Sequence, residues 1–206
     1  MIAIIDYGVG NLFSLCSSLK FIGADAKIVS DADEIRAADK LILPGVGAFA
    51  DAAKKLRDSG LDKVIIEEAA KGKPLMGICL GMQLLFEKSL EYGEHEGLGL
   101  IKGSVVPMEG YIPKSLKIPH IGWNKLIYKK KHELFKYLSD SDCVYFVHSY
   151  FASGCDDDII ATAEYGKELC AAVAKDNVMG CQFHPEKSGQ AGLNILRAFC
   201  ETEALK

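Results

Sequence analysis

The chain has 206 residues, enough for one domain with a sizeable core of its own. Hydrophobic residues make up 49% and charged residues 25%, and the net charge is −4, a balance that speaks against a disordered chain and against a nucleic-acid partner. No run approaches the roughly 20 apolar residues of a membrane-spanning helix, and the start, MIAIIDYGVGN, lacks a basic leader region, so a cytoplasmic protein with no membrane contact is expected.

The first half alternates strand and helix patterns. Ile2 to Asp6 is a short β-rich run. Asn11 is placed to cap a helix whose apolar residues Leu12, Leu15, Cys16, Leu19 and Ile22 recur at helical spacing. Strand-like runs follow at Ala26–Val29 and Leu41–Leu43, the second ending in Pro44-Gly45-Val46-Gly47. Helices are predicted over 48–58 and 61–71. Pro74 to Ile78 then forms a strand that meets Cys79, and Met82 to Glu87 reads as a helix.

The second half is richer in strands, predicted at Ser104–Val106, Leu116–Ile118, Trp123–Tyr128, Cys143–Tyr150, Ile159–Tyr165, Leu169–Ala174 and Val178–Phe183. A final helix spans about Gly189–Thr202. No linker or internal repeat divides the chain. The expected architecture is one α/β domain over 1–206, with a mostly parallel central sheet, helices on both faces and an antiparallel strand extension.

Seven cysteines, Cys16, Cys79, Cys143, Cys155, Cys170, Cys181 and Cys200, are scattered without any CxxC spacing. That pattern fits neither a zinc site nor a disulfide framework, and no metal or cofactor is expected. Most read as reduced packing residues.

Cys79 stands apart because of its context, Gly77-Ile78-Cys79-Leu80-Gly81-Met82-Gln83. A buried strand meets an apolar helix with cysteine at the junction and glycine two residues to either side. A sharp strand-to-helix turn needs small neighbours and presents its middle side chain, which is the logic of a nucleophile elbow. The helix start favours thiolate, and the Leu80 N–H points to where an oxyanion forms. The bland alternative is that Cys79 is a small core residue.

Gln182-Phe183-His184-Pro185-Glu186 supplies a base at a strand end, with a carboxylate two residues on to orient it. His95, His120 and His132 carry no such context and read as surface or packing residues.

Together, Gly77-Ile78-Cys79-Leu80-Gly81-Met82-Gln83 and His184-Pro185-Glu186 resemble the class I, triad-type glutamine amidotransferases along the whole chain. Asp6-Tyr7-Gly8-Val9-Gly10-Asn11, Pro44-Gly45-Val46-Gly47, Pro119-His120-Ile121-Gly122-Trp123-Asn124, Tyr145-Phe146-Val147-His148-Ser149-Tyr150 and Lys187-Ser188 are similar to segments of the glutaminase subunits of imidazole glycerol phosphate synthase. Ile121 stands where that resemblance leads one to expect methionine.

The resemblance implies hydrolysis of L-glutamine, with Cys79 as nucleophile, His184 as base and acid, and Glu186 as orienter. It implies oxyanion donors on the main chain of Val46 and Leu80. It implies substrate contacts from Gly47, Gln83 and the main chain of His148, Ser149 and Tyr150. It also implies a (β/α)8-barrel cyclase subunit as heterodimer partner in histidine biosynthesis, met by Asn11, Ile121, Trp123, Tyr145 and Lys187. The chain itself carries no P-loop, dinucleotide fingerprint or barrel repeat that would use the ammonia.

Several readings stay open on the residues alone. Pro44–Gly47 is also a plain turn signal. Trp123 fits a core as well as an interface. Tyr145 and Phe146 point to opposite faces of one strand in an unassigned order. A glutaminase for another synthase, such as a sugar-amidating one, or a silent glutamine-binding subunit would carry much of the same pattern.

Overall fold

In the computed structural model, which describes residues 1–204, strands and helices alternate through the first part of the chain. They are β1 (Ile2–Ile5), α1 (Leu12–Phe21), β2 (Ala26–Val29), α2 (Ala32–Ala37), β3 (Lys40–Leu43), α3 (Phe49–Asp58), α4 (Leu61–Ala70), β4 (Leu75–Ile78) and α5 (Leu80–Leu84). Strands dominate the rest: β5 (Phe86–Ser89), β6 (His95–Glu96), β7 (Ile101–Pro107), β8 (His120–Lys125), β9 (Ile127–Tyr128), β10 (Cys143–His148), β11 (Tyr150–Ser153), β12 (Ile159–Glu164), β13 (Glu168–Lys175) and β14 (Val178–Cys181). The helix α6 (Gly189–Cys200) follows them.

An 8-stranded sheet runs in the order β2-β1-β3-β4-β14-β13-β12-β9. From β2 to β14 every neighbouring pair is parallel. Beyond β14 the sheet continues antiparallel through β13, β12 and β9. This is the α/β architecture expected from the alternating first half and strand-rich second half.

A strand covered on both faces must be apolar at every position, and the period of two sends its side chains to two cores. In β1, Ala3 and Ile5 join the core that holds Ile35, Phe49, Leu56 and Ile65. Ile2 and Ile4 join the opposite core, with Leu15, Leu19, Ile195 and Phe199. Thus α2, α3 and α4 cover one face and α1 and α6 the other. Each fully buried Ile or Phe on these faces contributes about 1.5–3 kcal/mol of apolar burial.

Smaller sheets flank this body. β8 pairs with β10, and β5, β6, β7 and β11 form a sheet of their own. The carboxyl ends of β3, β4 and β14 lie side by side, and the chain leaves them as Pro44–Gly47, Cys79 and Gln182–His184. The crevice outside such strand ends is where open parallel sheets place their ligands.

Several local expectations are corrected. The helix expected over Met82–Glu87 stops at Leu84, because Phe86 and Lys88 pair with Ile101 and Ser104 of β7. Leu116–Ile118 is not a strand: Leu116 N donates to Pro113 O at 3.0 Å in a turn, and Pro119 has no N–H to offer a ladder. Trp123–Tyr128 is split between two sheets, as β8 and β9. Cys143–Tyr150 is broken at Ser149, between β10 and β11. α2 is an unforeseen helix, started by the Asp31 carboxylate, which accepts from Asp33 N and Glu34 N at 2.9 and 3.0 Å. Asn11 precedes α1 but makes no side-chain capping bond. Its ψ of 65° is outside the extended conformation that aims a cap at the helix start. No described helix is long and apolar enough to cross a membrane.

Candidate active site

β4 passes into α5 through Cys79, whose backbone sits at φ 54° and ψ −111°. A side-chain-bearing residue in such a conformation costs about 1–3 kcal/mol and persists only where its surroundings hold it. Cys79 N donates to Cys181 O at 2.8 Å, and Cys79 O accepts from Gln83 N at 3.1 Å. The flanking glycines let the turn close. A Cβ on Gly77 would lie 2.7 Å from Met82 N, and one on Gly81 would lie 1.8 Å from Leu43 O. Main chain from β3, β4 and α5 crosses there with no room for a methyl group.

β14 delivers His184 to the same point, its N–H donating to Tyr145 O at 2.9 Å. Its Nδ1 lies 2.8 Å from Glu186 Oε1, and the two side chains are 2% and 3% exposed. Nδ1 being taken, Nε2 is the nitrogen left to meet Cys79, the thiol on which the ring's charge depends. Burial disfavours charge on His184. The Cys79 sulfur and the Glu186 carboxylate outweigh burial, by hydrogen bonding and by opposite charge, and hold the pKa raised to about 9. The site therefore keeps a proton on the His184 imidazole. The second oxygen of Glu186 is buried without a hydrogen-bond partner among the described residues.

Cys79 and His184 line a cleft of about 670 Å³. It gathers Cys79, His184, Val46, Gly47, Leu80, Gln83, His148, Ser149, Tyr150 and Lys187 from the residues singled out in the sequence. Glu186 stands behind His184. Asn11 lies with Pro44, Gly45 and Glu186 around a separate small cavity. Leu80 is the first residue of α5, so its N–H is among the donors a helix start leaves unpaired. Gly47 has φ 95°, and Tyr7 OH donates to Pro44 O at 2.9 Å, tying the loop to the segment that follows β1.

Gln83 is 6% exposed, and its amide nitrogen already donates to Tyr150 O at 3.2 Å and Gln182 Oε1 at 3.0 Å. Its carbonyl oxygen is what remains for a substrate. Gln182, given no role from the sequence, is wholly buried and directs its Nε2 to Cys79 Sγ at 3.7 Å. The signal for it is a polar residue closing the apolar run Val178–Cys181. Ser188, noted in the sequence only as part of the Lys187-Ser188 resemblance and given no role, has a hydroxyl that donates to His184 O at 2.6 Å and accepts from Tyr145 N at 2.9 Å. Glu91 and Glu109 add carboxylates to the cleft, and Glu91 also accepts from Phe49 N at the start of α3. His120, read as surface or packing, is buried and bonded to His148 at 3.2 Å.

The other expected interface residues share the outer face of β8 and β10. Trp123 is 65% and Ile121 59% exposed, which removes the core reading of Trp123. Tyr145 faces outward and Phe146 inward. Tyr145 is paired across strands with Trp123 at a ring distance of 4.9 Å, and Lys187 Nζ lies 5.9 Å from the Tyr145 ring.

A strained cysteine at a strand-to-helix turn, a buried charged histidine and a carboxylate that orients it can run nucleophilic attack on an amide. The family model for glutamine amidotransferase class-I matches residues 3–202. The imidazole glycerol phosphate synthase subunit HisH of Caldanaerobacter subterraneus subsp. tengcongensis is 55% identical over 202 residues, 98% of each chain. The subunit of the same name from Lactococcus lactis subsp. lactis is 52% identical over 97% of this chain and 98% of its own. Among solved structures, that of PurLQS from Thermotoga maritima superposes with a TM-score of 0.75 at 22% identity, covering 96% of each chain, which speaks to the fold. The chain thus belongs to the class I glutamine amidotransferases and, among them, to the HisH family of imidazole glycerol phosphate synthase subunits.

Proposed function

We propose that the whole chain works as one glutaminase domain that hydrolyses L-glutamine to glutamate and ammonia through Cys79, His184 and Glu186. The observation that carries this reading is the 2.8 Å bond between buried His184 and Glu186 beside a cysteine held at φ 54°. The Cys79 thiolate adds to the carboxamide carbon, with the Leu80 and Val46 N–H groups as donors to the oxyanion. The His184 imidazolium gives its proton to nitrogen as the C–N bond breaks. Ammonia leaves and a glutamyl thioester remains. Neutral His184 then takes a proton from water, the resulting hydroxide attacks the thioester carbon, and the thiolate departs. Glutamate is released with the proton again on His184. Glu186 keeps its charge and holds the ring in one tautomer throughout.

Substrate recognition rests on Gly47, the Gln83 oxygen and the main chain of His148, Ser149 and Tyr150. Glu91 and Glu109 complement an α-ammonium group electrostatically.

The ammonia passes to a (β/α)8-barrel cyclase subunit, with which this chain forms a heterodimer. Free ammonia protonates at neutral pH and loses its nucleophilicity, so a sealed path between subunits has a chemical purpose. The exposed Trp123 and Ile121 and the half-buried Tyr145, with Lys187 at their edge, offer an apolar patch of the kind interfaces use. The Pro44–Gly47 loop presents the Val46 N–H to the cleft fully only when the partner is docked and loaded, a shift of populations that keeps the unpartnered chain slow. Turnover of the chain alone, with cyclase and with cyclase plus its nucleotide ligand tests this. The expected result is a large rise in the last mixture only, abolished by Cys79→Ala.

A further inference from the structure

Behind the cleft, three polar side chains form a hydrogen-bond row with a fixed direction. His148 Nδ1 lies 2.8 Å from Tyr150 O. A carbonyl oxygen only accepts, so His148 carries a proton on Nδ1. His148 is also kept neutral. Burial presses its pKa down to about 3, with the His120 and His184 rings adding to the effect against the bond to Tyr150 O. A neutral ring has one proton, so His148 Nε2 is an acceptor. The group opposite is His120 Nδ1 at 3.2 Å, which must donate. His120 Nε2 is left as a lone pair facing Asn124 Nδ2 at 3.5 Å. That amide also donates to Glu164 O at 2.7 Å, which fixes which way it points.

The row is held rigidly. His120 is stacked between Phe146 and Tyr165, with ring distances of 4.9 and 4.0 Å and interplanar angles of 19° and 21°. On the far side of the Tyr150 carbonyl, Gln83 Nε2 donates to the same oxygen at 3.2 Å. One carbonyl on the cleft wall is thus clamped by two donors, and neither histidine hydrogen-bonds Cys79.

We propose that His120 and His148 are positioning residues for glutamine binding, locked as Nδ1-protonated tautomers that hold the Tyr150 carbonyl and so set the Ser149–Tyr150 wall and the Gln83 amide. The role rests on the glutaminase reading above. Removing the His120 donor frees His148 to move its proton to Nε2. A lone pair on Nδ1 then faces the lone pairs of Tyr150 O, and the wall shifts. Ground-state binding suffers, while the Cys79–His184–Glu186 chemistry is untouched, so KM changes and kcat does not.

Long-range imidazole ¹H–¹⁵N spectra of the wild-type chain, free and assembled with its partner subunit, test the tautomers directly. Both rings are expected as neutral Nδ1–H forms at about pH 7 to 8, above the ordinary imidazole pKa from which both are lowered. An Nε2–H form for either ring overturns the proposal, whether or not any variant folds. In the assembled enzyme, His120→Leu is expected to raise the glutamine KM roughly tenfold, with kcat within about threefold. His120→Asn, whose amide nitrogen reaches the place of Nδ1, is expected to bring KM back to within about threefold of wild type. An unchanged KM in His120→Leu, or equal losses in both variants, overturns the role. A wild-type assembly that does not hydrolyse glutamine overturns the functional reading and this role with it. An active wild type with an unaffected His120→Leu overturns this role alone.

Discussion

His184 and Glu186 share a 2.8 Å hydrogen bond in which both side chains are almost wholly buried. The bond uses Oε1 of the carboxylate, and Oε2 has no partner among the described residues. The charge of Glu186 is therefore directed at one imidazole and little else. Glu186→Gln keeps the shape and an acceptor but removes that charge. The expected outcome is a loss of roughly 10²-fold or more in kcat. An NMR titration should also place the His184 pKa below that of the wild type. A variant with wild-type kcat would remove Glu186 from the mechanism.

The raised pKa of His184 sets a pH window. In an unfolded chain the ring titrates near its ordinary value of 6.5, and in the fold at about 9. A raised basic group contributes stability that is fully present below about 6.5 and is lost as pH rises through about 9. The imidazolium needed to protonate departing ammonia disappears over the same upper range. Accordingly, kcat/KM for glutamine should decline as pH rises through about 9. Cys79→Ala removes the first of the influences that raise the ring and should lower its pKa, readable by histidine NMR.

Gly81 sits where a methyl group has no space, 1.8 Å from Leu43 O. The obstacle is main chain in the middle of the sheet and has no rotamer to change. Gly81→Ala should destabilise the protein by about 3 kcal/mol or more, measured by denaturant unfolding. A substitution that leaves stability unchanged would mean the elbow is looser than this packing implies.

Trp123 is exposed and packs its ring against Tyr145 at the outer face of β8 and β10. Trp123→Ala should leave the stability of the isolated chain within about 0.5 kcal/mol. It should weaken cyclase binding by about 2 kcal/mol, close to 30-fold in Kd. Calorimetric titration of the two subunits reads this, and equal affinity for the variant would move the partner face elsewhere.

Local chemistry makes the turn at Cys79 and the His184–Glu186 pair legible in the sequence itself. Gly77 and Gly81 around Cys79 announce a tight turn, and His184-Pro185-Glu186 places an imidazole and a carboxylate two residues apart. Features that depend on distant chain are hidden. The end of α5 is decided by pairing of Phe86 with Ile101, and an apolar window reads the same in helix and strand. Tyr7, Gln182, Ser188 and His120 act through bonds to residues remote in sequence. No spacing rule joins Gln83 to Gln182 or Tyr7 to Pro44. For Trp123 and Tyr145, only the register of β8 against β10 shows them on one outward face.

The most direct test is ammonia release from glutamine by the purified chain, alone, with a barrel cyclase subunit, and with that subunit plus its nucleotide ligand. The expected result is slow release alone, a large rise in the complete mixture, and none from Cys79→Ala in any of them. Release that persists in Cys79→Ala would contradict the nucleophile. Release that depends on Cys79 and ignores the cyclase and its ligand would contradict the partner.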